Sequence, residues 1–135
     1  MKSQLVLQNQ SIYTEIKNES NWLNHDYKFI ADGLRILAFP CNQFGYQEPG
    51  TSEDIKNFVA KYGVEFDMFE KINVNGNDAH PLFNYLKEKQ AGTMFNFIKW
   101  NFTKFVINKD GQPVARFSPG DNPIPAVSDL CKTLY

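Results

Sequence analysis

Cysteine is scarce in this chain, with two residues, Cys41 and Cys131, among 135. Two such separated thiols make neither a disulfide framework nor a Cys-x-x-Cys pair, and this usage suits a reducing, cytoplasmic setting. Histidine is equally sparse, His25 and His80, and with the cysteines so widely spaced no zinc site is expected. There is no Lys/Arg block and the net charge is −1, which excludes a strong electrostatic claim on nucleic acid or on an anionic surface. No apolar run approaches the ~20 residues of a spanning helix, and the run in "MKSQLVLQNQ" is too short for a signal peptide. Repeats, low-complexity tracts and linkers are also missing, so one domain over residues 1–135 is expected.

What is present is aromatic: twelve Phe and six Tyr, enough to fill a core. Apolar residues at Ile12, Ile16, Leu23, Tyr27 and Ile30 predict one helix face, ended by Gly33. "RILAF", Arg35–Phe39, reads as a buried parallel strand. Thr51 or Ser52 can cap a helix with Glu53 and Asp54 in its first turn, the stripe Ile55, Phe58, Val59 and Tyr62, and Gly63 as its stop. "EKINVNG" reads as a short strand or an extended loop. "NDAHPLFNYLKEK" predicts a helix with Pro81 in its first turn, where His80 serves helix entry. "FTKFVIN", the turn "KDG" and "PVARF" make a hairpin. Pro123 opens a last helix on whose stripe Cys131 is a small core residue. This order predicts an α/β fold with a mixed central sheet.

Function in such sheets concentrates at strand ends. "CNQFGYQE" directly follows the "RILAF" strand, and "IKWNFTK" directly precedes the hairpin. Gln47, Asn101 and the indole N–H of Trp100 are neutral donors, and converging donors can hold a thiolate or an oxyanion charged at neutral pH. On the pair alone, a Trp-Asn at a strand entry reads rather as core plus turn cap, and Gln47 alone is no stronger a signal.

Three segments carry more. "LAFPCNQFGYQEPG", "FDMFEKINVNGNDAHPLF" and "IKWNFTKFVINKDGQPVARFSP" closely resemble the glutathione peroxidase family, in particular its phospholipid-hydroperoxide branch. The likeness runs from about Ala31 to the C-terminus, roughly three-quarters of the chain. It implies a thioredoxin-like fold and an oxidoreductase of the oxidative-stress response that reduces hydrogen peroxide and organic or lipid hydroperoxides. Glutathione would be the reducing co-substrate, with no other cofactor and no metal. By resemblance the catalytic donors are Gln47, Trp100 and Asn101, and the glutathione or phospholipid-headgroup contacts are Lys89, Lys99 and Arg116. The helix "SEDIKNFVAKYG" lacks the resolving cysteine of thioredoxin-dependent members, and the short loop "KQAGTMFN" resembles the monomeric ones.

The resemblance departs from the family where the nucleophile belongs, in a "V-A-S-x-Cys/Sec-G-x-T" segment. Matching "YTEI" to the family's "YTxL" puts that position near Val6, with extra residues around "KNESNW"; ungapped, it falls near Ile12. Neither is a cysteine or selenocysteine. Cys41, in the same loop as Gln47, is the weak remaining candidate. The first core strand is expected to be missing, or replaced by Ser3–Gln8. The expectation is therefore an N-terminally incomplete family member with little peroxidase turnover of its own; the alternative is a non-catalytic binding module or a truncated gene product.

Overall fold

The computed structural model describes residues 4–9, 35–64, 66–108 and 110–132. Five strands form one mixed sheet: β1 (Gln4–Asn9), β2 (Arg35–Pro40), β3 (Asp67–Met68), β4 (Lys104–Ile107) and β5 (Pro113–Phe117), in the order β3-β2-β1-β4-β5. β1 pairs parallel with β2, Gln4 opposite Arg35 through Asn9 opposite Pro40, and antiparallel with β4, Gln4 opposite Ile107. The strand expected from Ser3–Gln8 thus forms one residue later and fills the centre of the sheet. Without it β2 and β4 would each leave a row of unpaired N–H and C=O groups in mid-sheet. The predicted helix between Ile12 and Ile30 lies outside the described residues.

Three helices are described: α1 (Ser52–Ala60), α2 (Pro81–Lys89) and α3 (Ile124–Lys132). Thr51 caps α1 through a full capping box: Thr51 Oγ1 accepts from the Asp54 N–H (3.2 Å) and Asp54 Oδ2 accepts from the Thr51 N–H (2.9 Å). Gly63, two residues past the C-cap Lys61, turns the chain with φ +65°. His80 is the N-cap of α2, its Nδ1 accepting from the Leu82 N–H at 3.2 Å, and Pro81 follows in the first turn, where a missing N–H costs nothing. "EKINVNG" is an extended loop; the edge strand is the preceding pair Asp67–Met68, which no periodicity could announce in two residues.

The main core gathers Phe39, Cys41, Phe44, Val74, Phe83, Leu86, Ile98, Phe105 and Ile107. Phe83, fully buried on α2, packs edge-on against Phe39 of β2 (5.6 Å between centroids) and Phe105 of β4 (6.1 Å). A smaller cluster under α1 joins Ile55 and Val59 to Phe58, Val64 and Met68. The core therefore extends past the strand ends into the loops that carry Cys41, Phe44, Val74 and Ile98.

Candidate functional site

Two loops leave the sheet side by side. Residues 41–50 follow β2; residues 96–103 lead into β4. The ring of Phe44 lies 5.8 Å from that of Trp100, so the two segments meet. The first loop is closed on itself by Asn42 Oδ1, which accepts from the Glu48 N–H at 2.9 Å, and Lys71 Nζ donates to the carbonyls of Glu48 and Gly50. Gln47 is exposed on this closed loop, its side chain lying back toward Gly45.

Trp100 is half-exposed, while Asn101 is 1% exposed. Both the Nδ2 and the Oδ1 of Asn101 are buried without a hydrogen-bond partner among the described residues. Buried amides are nearly always satisfied, so an orphaned one beside an exposed indole is an exception within this fold. Backbone strain falls at the same two places. Tyr46 (φ +53°) immediately precedes Gln47, and Phe102 (φ +59°) immediately follows Asn101. For a bulky side chain this left-handed conformation costs about 1–2 kcal/mol, and such outliers cluster at functional sites.

A cleft of about 360 Å³ opens beside Trp100, lined among others by Lys99, Thr103, Arg116 and Asp121. Lys99 is exposed on its wall. Arg116 is half-committed to the fold: its Nη1 donates to the carbonyls of Gln90 (3.2 Å) and Asn96 (3.1 Å), and its Nη2 to that of Phe97 (3.0 Å). Lys89 is not among the lining residues; it stands 3.9 Å from Glu88 and over the Tyr85 ring at 5.9 Å. The cleft's far wall is held by Lys104, whose Nζ reaches the carbonyls of Ser118, Pro119 and Asp121 from a position only 4% exposed. Sequence reasoning missed Lys104, because a lysine inside a strand pattern signals a solvated face rather than a buried cation.

Sequence reasoning also passed over two amides that join the loops. Gln43 Oε1 accepts from the N–H groups of Val74 (2.8 Å) and Asn75 (3.0 Å), and its Nε2 donates to the Asn75 carbonyl (2.9 Å). Asn75 in turn donates through Nδ2 to the Ile98 carbonyl (2.7 Å) and accepts at Oδ1 from the Ile98 N–H (2.9 Å). Lys87 Nζ donates to the Val74 carbonyl beside them, and burial, then the Arg116 cation, pushes its pKa down.

Cys41 is completely buried, and its thiol faces the Gln43 carbonyl oxygen at 3.6 Å. Val6, one of the two positions matched to the nucleophile, lies in mid-strand opposite Leu37 and Phe105, so the gapped match does not reach a strand end. Ile12 lies outside the described residues, as does the side chain of Cys131.

The family model for glutathione peroxidase matches residues 4–87. The glutathione peroxidase of Schistosoma mansoni is 55% identical over 79% of the chain and 64% of its own length. The phospholipid hydroperoxide glutathione peroxidase of Callithrix jacchus is 59% identical over 76% of the chain and 53% of its own length. The chain thus spans between half and two thirds of the curated relatives it matches. Among solved structures, that of Trgpx in apo form superposes with a TM-score of 0.74 at 33% identity, covering 97% of this chain and 81% of that one. The thioredoxin-like protein SPOA0173, at 14% identity and a TM-score of 0.62, shares the fold, which is therefore thioredoxin-like.

Proposed function

Because this chain belongs to the glutathione peroxidase family, we propose that its site holds a hydroperoxide for reduction at the expense of glutathione. The observation that carries this is the orphaned, buried amide of Asn101 beside Trp100, at the junction with the loop of Gln47. Three neutral donors there stabilise a chalcogenolate and the oxygen it displaces. In the reaction that family membership implies, a cysteine or selenocysteine chalcogenolate attacks one peroxide oxygen and the O–O bond breaks. The alcohol or water leaves, and the chalcogen becomes a sulfenic or selenenic acid. One glutathione thiol then displaces water from it to give a mixed disulfide, and a second attacks that glutathione's sulfur, releasing glutathione disulfide and regenerating the chalcogenolate. No further cofactor enters. Neither position matched to that nucleophile is a cysteine here and Cys41 is buried, so the turnover proposed for this chain on its own is low.

Membrane-borne phospholipid hydroperoxides are the substrates this surface suits best. Met94, Phe95 and Phe97 are 76%, 53% and 48% exposed on the loop before Trp100, with Lys99 beside them to meet an anionic headgroup. Lys99 and the uncommitted part of Arg116 meet the carboxylates of glutathione, while Lys89, farther along α2, serves as an outer cation. The short loop before Ile98 suits a monomer, and the sparse, widely separated cysteines of the sequence suit the cytoplasm.

A second reading rests on Cys41. The sequence contains no cysteine other than Cys41 and Cys131, and Cys41 is sealed in the core. On that reading the site binds glutathione or a lipid headgroup without turning it over. One experiment separates the two: hydroperoxide consumption with glutathione, followed by NADPH oxidation through glutathione reductase, in wild type and in Gln47→Ala, Trp100→Phe and Asn101→Ala. Turnover that falls in all three variants supports the peroxidase. No turnover, with calorimetric binding of glutathione weakened by Lys99→Glu, supports the binding module. Turnover indifferent to all three substitutions refutes both assignments.

A further inference from the structure

The donors of the site stand on two separate loops, and neither loop is paired in the sheet where they stand. Something else must set their separation. Between them lies a third segment, the extended loop 69–80, which itself bears none of the donors. It is fixed to the sheet by Phe69 N–H and Ile72 N–H, which donate to the carbonyls of Ala38 and Pro40, both at 2.9 Å. Val74, fully buried, anchors it in the core.

We infer that Gln43 and Asn75 form a two-amide latch that positions Trp100 and Asn101 against the Gln47 loop. Each side chain copies a strand's hydrogen-bonding edge. Gln43 satisfies two N–H groups and one carbonyl of the third loop; Asn75 satisfies both backbone groups of Ile98. The series Gln43, Asn75, Ile98 runs from four residues before Gln47 to two residues before Trp100, through five hydrogen bonds of 2.7–3.0 Å. Amides suit the task because each supplies a donor and an acceptor with no charge to desolvate. A carboxylate at either position keeps the acceptor and loses the donor. The latch ends on Ile98, which is 1% exposed, so its backbone groups have no access to water if Asn75 lets go. Phe44, adjacent to Gln43, carries the contact to the Trp100 ring, so a shift at either amide is felt there first.

The inference rests on the peroxidase reading for its purpose, but its test does not use turnover alone. Protein labelled with 5-fluorotryptophan gives a ¹⁹F resonance for Trp100, identified by its loss in Trp100→Phe. In Asn75→Ala, and more weakly in Asn75→Asp, this resonance is expected to shift and broaden toward solvent at temperatures where circular dichroism shows the chain folded. Val59→Ala, a change in the separate cluster under α1, is the control and is expected to leave the resonance in place. If wild type turns over hydroperoxide, Asn75→Asp is expected to lower kcat about tenfold with a smaller change in KM for glutathione. A Trp100 resonance unmoved in folded Asn75→Ala overturns the latch, whatever the activity. An equal shift in Val59→Ala overturns it too, since the effect would then be general loosening. Absence of turnover in wild type defeats the peroxidase reading and leaves the resonance to decide the latch.

Discussion

Asn75 and Asn101 allow the same substitution to be made twice with different expected results. Asn75 spends its amide on the N–H and C=O of buried Ile98; Asn101 is itself buried with both amide atoms unpartnered. In Asn75→Ala the two Ile98 groups stay buried and lose their partners, at about 1–3 kcal/mol each, for a loss of roughly 2–6 kcal/mol. In Asn101→Ala the penalty already borne by the amide, about 1–3 kcal/mol, is returned. Against it stands the void left by the amide, about two methyl groups at about 1 kcal/mol each. The two terms nearly cancel, and the expected change is within about 1 kcal/mol of zero. Urea unfolding at equilibrium, followed by far-ultraviolet circular dichroism with matched m-values, measures both. Asn75→Ala should move the midpoint markedly down and Asn101→Ala hardly at all. Hydroperoxide turnover, if the chain supports it, should fall about 10²–10³-fold in Asn101→Ala, as when one oxyanion donor is removed. A loss of stability in Asn101→Ala equal to that in Asn75→Ala would show that its amide belongs to the fold, and the argument from an orphaned group would fail.

Three further outcomes are expected. Tyr46→Gly removes left-handed strain from a side chain 81% exposed, so stability should hold or rise by up to about 1 kcal/mol, whereas Tyr46→Val should lose at least that much; a clear loss in the glycine variant contradicts the strain. Phe83→Ala empties a fully buried ring site and should cost about 3–5 kcal/mol in the same urea titration; a cost below 1 kcal/mol would mean that α2 is not docked through this ring. The hydrogen bonds from Thr51 hold the Asp54 carboxyl below its usual range. A depressed folded pKa gives stability that is present above the unfolded value and lost as pH falls through the folded one. The acid limb below about pH 4 should therefore be shallower in Thr51→Ala, and identical limbs in the two proteins would rule this out.

Elements whose physics is local were legible in the sequence. The Thr51 cap, His80 and Pro81 at the start of α2, and the hairpin around Gly111 each depend on neighbours within four residues. The substitute strand was legible only because the sheet would otherwise have had a gap at its centre; nothing in "QLVLQN" itself names its partners. Gln43, Asn75 and Lys104 were not legible, because their acceptors lie between 14 and 32 residues away and are backbone atoms, which no side-chain pattern records. The donors Gln47, Trp100 and Asn101 were legible through the family resemblance of the segments that carry them, but the burial of Asn101 and the half-commitment of Arg116 to three carbonyls emerge only once the chain is folded.

The central strand has a consequence for the order of assembly. β1 lies between β2, which follows about thirty residues later, and β4, whose Ile107 pairs with Gln4 about a hundred residues away. A chain emerging from the ribosome at about 5–20 residues per second can therefore zip β1 to β2 early, but must leave its other edge bare for a further several seconds. Closing the longer loop costs only about 1 kcal/mol more than closing the shorter one, since the entropy grows with the logarithm of length. The delay is thus one of synthesis rather than of thermodynamics, and during it the nascent half-sheet exposes an unpaired row of N–H and C=O groups that another half-sheet could capture. The strand that makes the sheet continuous is also, until residue 107 arrives, its most open point of mispairing.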